Sequence, residues 1–456
     1  MPKDTETESG KKLISLDEIL ALAQIKVPLT EITQFVRRSR WYLGRQSATL
    51  EFMVCGYTDV DGVDPSVLHV IAKDDDGGVW NLPLIIAYES LDGTLIAEVP
   101  RPGSSSCFIY DATSLRVGQK ALIGDVGKSK VEPKVSSKSF EQSNTSFIYD
   151  DLYFKLYRRL VPHKNREVKI LEGLSSVTEG EVPQVIKVGE RCGYSTHLIL
   201  ESLDGQDLYG VIKALLMHGD VERVKKHLSN LGVLLASIHR SLRGLFGYES
   251  ITTDQLYLRA YKRVSERIAT LEPSYSSTDY NSSQIDAIAA SLSAYIERSQ
   301  RGEDSKRGRT SASTQIQVIH GDLHLGQILI CGDRQTLIDF EGEVLGEKDD
   351  WFKAKEYDLA GVARSIHYAS FESRYLLTEA GEMVVSELED AFLGAYLSDQ
   401  STYLDSSVTA FDRDLYEVLK LEKAVYELEY ELRAQRGLLA IPASFLLGRR
   451  GEQGDE

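Results

Sequence analysis

The chain has 456 residues, 42% apolar and 27% charged side chains, and a formal net charge of −17. That length calls for two or three domains. No apolar run is long enough to cross a bilayer, and the acidic surplus argues against a binder of nucleic-acid backbones, whose affinity rests on Lys and Arg, without excluding nucleotide binding.

The N-terminal stretch "MPKDTETESGKK" is polar and lacks the apolar core of a secretory signal, so it is read as a disordered leader. A helix is expected through Leu16–Ala23, with Ser15 and Glu18 at capping-box spacing. From about residue 25 to 112 come five strand-like runs, "TLEFMVCGY", "VLHVIAK", "WNLPLIIAY", "TLIAEV" and "CFIYDA". Acidic and glycine turns such as "DVDGVD" and "DDDGG" separate them. The run "QKALI" reads as a short strand at best, and "GKSKVEPKVSSKS" as a linker or mobile loop. From about 140 to 203 the order is strand, strand, helix, strand: "SFIYD", "LYFKLYR", "NREVKILEGL", "HLILESL". From about 205 onward the periodicity is mostly helical, as in "VERVKKHLSNLGVLLASIHRSL", "SQIDAIAASLSAYIERSQ" and "DLYEVLKLEKAVYELEYELRAQR". "RGEDSKRGRTSAST" reads as a flexible insertion. The four cysteines, Cys55, Cys107, Cys192 and Cys331, are scattered without a Cys-x-x-Cys pair. Reduced thiols in a cytosol are therefore expected, not a disulfide scaffold or a zinc site.

The span "VIHGDLHLGQILICGDRQTLIDFEGE", Val318 to Glu343, carries the chemistry. Its apolar runs Ile328–Ile330 and Thr336–Ile338 read as a hairpin turned at Gly332-Asp333, with carboxylates at both open ends. His320, Asp322 and Gln327 hold the spacing of a kinase catalytic loop, with Gln in place of Asn, and Asp339-Phe340-Glu341 stands where Asp-Phe-Gly would follow. Asp322 is the expected base for an attacking hydroxyl. Asp339 and Gln327, with Glu341 assisting, are the expected Mg²⁺ ligands. The bland alternative is a set of turn-capping carboxylates around an ordinary hairpin.

A kinase also needs a cation for the phosphates of ATP. Lys155 lies in the strand-like "LYFKLYRRL", and Glu167 or Glu172 in the following helix is its expected ion-pair partner, Glu167 being nearer the helix start. No Gly-x-Gly-x-x-Gly precedes the lysine strand. "EQSNTS" offers Ser143, Asn144 and Thr145 in that place, and Glu201 ends the later strand of the nucleotide-binding part. "GDVGKS", Gly124 to Ser129, lacks the four-residue spacing of a phosphate-binding loop and is set aside.

The runs "HGDLHLGQILI…LIDFEGE" and "YDLAGVARSIHYAS" resemble the aminoglycoside phosphotransferase-like kinases, and most closely the maltokinases, with glucosamine kinases as near relatives. "RWYLGR", "SNTSFIYDDLYFKLYRRL", "ASIHRSL" and "LEKAVYELEYELRAQR" extend the resemblance over most of the chain. It implies an α+β, protein-kinase-like bilobal fold with an N-terminal β-rich cap (1–112), an intermediate subdomain (113–204) and a helical C-terminal lobe (205–456). The implied reaction is ATP plus maltose giving maltose 1-phosphate for α-glucan (glycogen) synthesis, in a cytoplasmic protein. It would be a monomer or homodimer with a functional link to trehalose and glycogen enzymes. Val344 stands where the family has Pro, and "AQRGLLA" replaces its C-terminal Asn-Arg-Pro-Asp-Trp run.

The acceptor sugar is expected near His324 and on the helix after Asp414. There Lys420, Lys423, Glu427 and Glu431 group together, flanked by Tyr426 and Tyr430, on a face away from the apolar stripe of Leu421, Val425, Leu428 and Leu432. A solvated salt-bridged helix face is the plainer alternative. Asp358 and Arg364 are expected to anchor the catalytic loop. Maltose is the favoured acceptor and glucosamine the alternative. An aminoglycoside-type phosphotransferase and a nucleotide-binding pseudokinase remain as further readings.

Overall fold

The computed structural model describes residues 14–15, 28–42, 44–58, 67–101, 104–124, 135–136, 144–162, 164–270, 313–343, 351–373, 379–403, 410–434 and 437–448. The expected helix at Leu16–Ala23, most of the linker, Ser143, the "GKS" end of the set-aside loop and the "SQIDAIAASLSAYIERSQ" helix fall outside them. The chain divides into two compact units: residues 1–175 with 183–204, and residues 176–182 with 205–456.

The first unit holds both β-rich regions. Its larger sheet is antiparallel. It is formed by β1 (Ile14–Ser15), β2 (Leu50–Thr58), β3 (Val67–Asp74), β4 (Val79–Ala87), β5 (Leu95–Arg101) and β6 (Ser104–Asp111), in the order β1-β2-β3-β4-β6-β5. The five expected strand runs are all here. The acidic turn between β3 and β4 has a visible cause. Asp74 Oδ1 accepts from the backbone N–H groups of Asp76 (3.1 Å) and Gly78 (2.6 Å), and Oδ2 accepts from Trp80 Nε1 at 3.1 Å. Helix α1 (Leu29–Arg38) buries Ile32 and Val36 in a core shared with Trp41, Val70, Trp80 and Leu82.

"QKALI", read above as a strand, belongs instead to helix α2 (Arg116–Ile123). Its apolar residues are too closely spaced to distinguish the two periods, and the helix is selected by tertiary burial of Leu122 and Ile123.

The second sheet comprises β7 (Val135–Ser136), β8 (Thr145–Tyr149), β9 (Leu152–Leu156), β11 (Val185–Arg191) and β12 (Tyr194–Glu201), in the order β11-β12-β9-β8-β7. Between them run β10 (Arg159–Leu160), which pairs with β4, and helix α3 (Arg166–Val177). One apolar core joins Val67, Ile85 and Tyr110 of the first sheet to Phe147, Phe154 and Ile199 of the second.

Arg158, 2% exposed, crosses the same seam. Its guanidinium donates to Asp111 Oδ2 (2.6 Å), Thr113 Oγ1 (3.0 Å) and Thr145 Oγ1 (2.8 Å), and lies 4.9 Å from the Trp41 ring centroid. A planar donor array of this kind is what makes a buried arginine tolerable.

Cys55 and Cys192 also meet within this unit as a disulfide, with Cα atoms 5.9 Å apart. This corrects the expectation of four reduced thiols; Cys107 and Cys331 form no disulfide. Cys55 sits at a register shift of β2 between Val54 and Gly56, and Cys192 in the β11–β12 turn. A tertiary pairing across 137 residues leaves no mark in local cysteine spacing.

The second unit is mostly helical. Helices α4 (Leu208–Met217), α5 (Val221–Phe246), α6 (Thr253–Thr270), α7 (Glu356–Glu372), α8 (Glu379–Tyr403), α9 (Arg413–Ala434) and α10 (Ala440–Gly448) surround two small sheets. One pairs β13 (Gln206–Asp207), β16 (Ile328–Cys331) and β17 (Arg334–Leu337); the other pairs β14 (Tyr248–Thr252), β15 (Ser313–Val318) and β18 (Phe352–Lys353). The hairpin expected from the sequence is the β16–β17 pair, in register Ile328 to Leu337, with Gly332 at its turn at φ 63°. Helix α7 is buried along most of its length, so its side chains act as the platform under the hairpin's approach loop.

Candidate active site

The loop leaving β15 is held from below by Asp358, in the first turn of α7. Its Oδ2 accepts from the His320 N–H at 2.8 Å and its Oδ1 from the Gly321 N–H at 2.9 Å. Gly321 has φ 88°, a conformation that side-chain-bearing residues rarely adopt. His239 of α5 donates from Nε2 to Asp358 Oδ2 (3.0 Å) and meets the Tyr396 hydroxyl through Nδ1 (2.8 Å). A carboxylate accepts only, which fixes that tautomer. Burial would raise the Asp358 carboxyl. The hydrogen bond and charge of His239, His320 and the Gly321 N–H outweigh it and hold the carboxyl down at about 2. Asp358 is therefore a fixed anion that anchors the loop.

His320 is fully buried. It hydrogen-bonds the Ile338 carbonyl at 2.9 Å and lies 4.7 Å from the Phe340 ring, tying the loop before β16 to the segment after β17. Gln327 donates its amide to Asp339 Oδ2 at 3.2 Å, and the Ile338 N–H returns to the Gln327 carbonyl at 3.0 Å. Asp339 has φ 63°, left-handed for a residue with a Cβ. Such strain persists only where surrounding contacts over-determine it. Asp339, Gln327 and Glu341 offer carboxylate and amide oxygens, the hard donor set that suits Mg²⁺.

Asp322, at the tip of the same loop, is half-buried. Its carboxyl is raised to about 7, first by removal from water, then by the negative charges of Glu343 and Asp339, with Lys423 acting in the opposite direction. A carboxyl near neutrality beside other carboxylates is the environment of an acid–base group.

Lys423 of α9 reaches this point from another part of the chain. Its ammonium bonds Glu343 Oε1 at 3.0 Å and lies 4.2 Å from the Tyr357 ring centroid. Burial would lower the Lys423 ammonium, but Glu343 and Asp322 raise it above its ordinary value. Glu343 also accepts from the Tyr357 hydroxyl at 2.5 Å. Although burial opposes it, Lys423, Lys353 and that hydroxyl hold its carboxyl down at about 2. Glu343 and Tyr357 were not singled out from the sequence. Glu343 lay in plain view at the end of "DFEGE", but its role depends on a lysine from a remote helix.

The other expected acceptor residues lie in varied surroundings. His324 is exposed and caps the 3₁₀ turn Leu325–Gln327 by accepting from the Gly326 N–H at 3.1 Å. Glu427 is held bidentately by Arg364, at 2.7 and 3.0 Å, so the expected anchor Arg364 binds α9 rather than the loop. Glu431 is buried, and Tyr426 and Tyr430 are half-buried.

In the first unit, Lys155 on β9 and Glu167 at the start of α3 form a buried pair, Nζ to Oε2 3.1 Å, at 2% and 1% side-chain exposure. The Tyr157 hydroxyl donates to the same Oε2 at 2.8 Å, and Asn165 Oδ1 caps the helix by accepting from the Glu167 N–H at 2.8 Å. Glu172 instead pairs with Lys164. Asn144 and Thr145, expected at the nucleotide, are engaged by Arg158, through its N–H (3.1 Å) and Nε (2.8 Å) respectively. Glu201 accepts from the Gln184 N–H at 2.9 Å.

Comparison with known proteins places residues 138–347 as a match to the phosphotransferase enzyme family known as APH. A glucosamine kinase of Mycolicibacterium smegmatis (strain ATCC 700084 / mc(2)155) is 29% identical over 134 residues, 28% of this chain. The match spans only 33% of that relative's length. Among solved structures, a glucosamine kinase in complex with glucosamine, ADP and inorganic phosphate aligns over 92% of this chain and 99% of its own, with a TM-score of 0.60 at 16% identity. The same enzyme type in a second crystal form gives 0.58 over 93% and 100%, also at 16% identity. The fold is thus α+β and kinase-like, with a helical C-terminal part.

Proposed function

We propose that this chain, which carries a phosphotransferase-family domain over residues 138–347, is an ATP-dependent kinase of a sugar hydroxyl. The observation that carries the reading is Asp322, a carboxyl raised to about 7 at the tip of a loop locked by Asp358. In this role it accepts the proton of the acceptor hydroxyl as that oxygen attacks the terminal phosphate. Asp339, Gln327 and Glu341 would hold Mg²⁺, which when bound neutralises charge developing on the phosphates. Lys155, oriented by Glu167, is assigned to the nucleotide phosphates. Lys423 keeps a positive charge beside Asp322 and limits how far the carboxyl's pKa rises.

Maltose is the acceptor favoured by the sequence resemblance. Its product, maltose 1-phosphate, would feed α-glucan synthesis in the cytoplasm. Glucosamine is the second reading, favoured by the partial match to a curated glucosamine kinase. A coupled assay of ADP release with ATP, Mg²⁺ and a panel of maltose, glucosamine and aminoglycosides tests both. Maltose-dependent release supports the first reading and glucosamine-dependent release the second. Release with aminoglycosides alone contradicts the sugar assignment, and no acceptor-dependent release contradicts the kinase reading.

A further inference from the structure

Helix α6 is latched to α9 by two arginines one turn apart. Arg263 holds Glu422 bidentately, at 2.6 and 2.9 Å, and Arg267 bonds Glu429 at 2.9 Å. Arg267 does a second thing: its guanidinium carbon lies 4.7 Å from the Tyr426 ring centroid. Tyr426 is one helical turn from Lys423, so the two side chains are neighbours on one face of α9. Lys423 bonds Glu343 beside Asp322. The half-buried Tyr426 hydroxyl has no hydrogen-bond partner among the described residues. Removal from water, Glu343 and Asp322 raise this phenol to about 12, so it stays neutral, able both to donate and to accept.

We propose that Arg267 of α6 is the positioning residue that fixes the ring of Tyr426, an acceptor residue already expected from the sequence, as a platform beside the reacting hydroxyl. This inference rests on the sugar-kinase reading above. A sugar presents a C–H face and a rim of hydroxyls. A ring held flat from behind by a cation, with a spare hydroxyl at its edge, matches both. Nothing in the catalytic-loop motif points to Arg267, because it lies on a helix remote from that motif in the sequence.

The test compares wild type, Arg267→Ala, Arg267→Lys and Tyr426→Phe in the ADP-release assay, with maltose and with glucosamine, alongside thermal unfolding. The inference expects Arg267→Ala to raise the acceptor KM on the order of tenfold, since a partly desolvated cation–π contact sets the ring. The ATP KM should stay within about twofold of wild type, a change too small to count as a lost contact. Arg267→Lys, which keeps the cation, should recover most of the loss, and Tyr426→Phe should raise the acceptor KM through the lost hydroxyl. Sugar-dependent release with an unchanged acceptor KM in Arg267→Ala overturns the inference and leaves the kinase reading standing. So does an equal rise in both KM values, accompanied by a lower Tm and no recovery with lysine. Absence of sugar-dependent release from the wild type overturns both.

Discussion

Asp322 and Asp358 lie within contact of the same short loop, yet their surroundings drive their carboxyls in opposite directions, one up to about 7 and the other down to about 2. As the proposed base, Asp322 must be ionised to work. We therefore expect kcat/KM for the acceptor to rise with pH through about 7 and then level; a profile already flat from pH 5 would contradict the assignment. Stability carries the same signature. Asp322 in the folded protein keeps its proton to about 7, against 3.8 for an ordinary aspartate. Its favourable contribution is thus full below about pH 4 and lost as pH rises through 7. Asp322→Asn removes that loss. Its Tm advantage over wild type should grow between pH 5 and 8, and a constant difference would argue against a raised carboxyl. Asp358 behaves oppositely: its contribution is present above the ordinary carboxylate range and lost as pH falls towards 2. The motif residues His320, Asp322, Gln327 and Asp339 were legible because their spacing is local. Glu343 and Tyr357 were not, because the ammonium that Glu343 bonds and the Tyr357 ring faces belongs to α9.

The close approach of α7 to the catalytic loop depends on one position. A Cβ at Gly361 would meet the Leu323 carbonyl oxygen at 2.3 Å, and backbone cannot swing aside. Gly361→Ala should destabilise by about 1–3 kcal/mol and lower turnover by displacing the residue next to Asp322. Gly244→Ala in α5, where a Cβ meets nothing within 4 Å, should be neutral or stabilise by about 0.5–1 kcal/mol. Urea unfolding and ADP release of the two variants test this, and equal effects would contradict it. Element identity followed the strength of the periodic signal. The five strands of the first sheet and helices α5 and α9 have long, clean patterns. Helix α2 was misread because "QKALI" is too short to show a period, and α1 went unnoticed although Leu29, Ile32, Phe35 and Val36 have helical spacing, because it is only ten residues long and rich in β-branched residues.

Across the whole chain, the larger misses are tertiary. The Cys55–Cys192 disulfide closes a 137-residue separation within the first unit and joins β2 of one sheet to the β11–β12 turn of the other. Reduction, or the Cys55→Ser/Cys192→Ser pair, should lower stability by about 2–4 kcal/mol. Identical unfolding with and without reductant would contradict that. Arg158 likewise unites residues from four separate stretches, a convergence no single window of sequence displays. The motif behind the proposed reaction class was legible because it is compact; the proposed acceptor contacts were not, because they come from α6, α9 and the loop before β16. The most direct measurement of the central claim is turnover of Asp322→Asn with whichever sugar the wild type phosphorylates. A loss on the order of 10²–10⁴, with the variant still folded, is the expected result. A variant as active as wild type would mean that Asp322 is not the base.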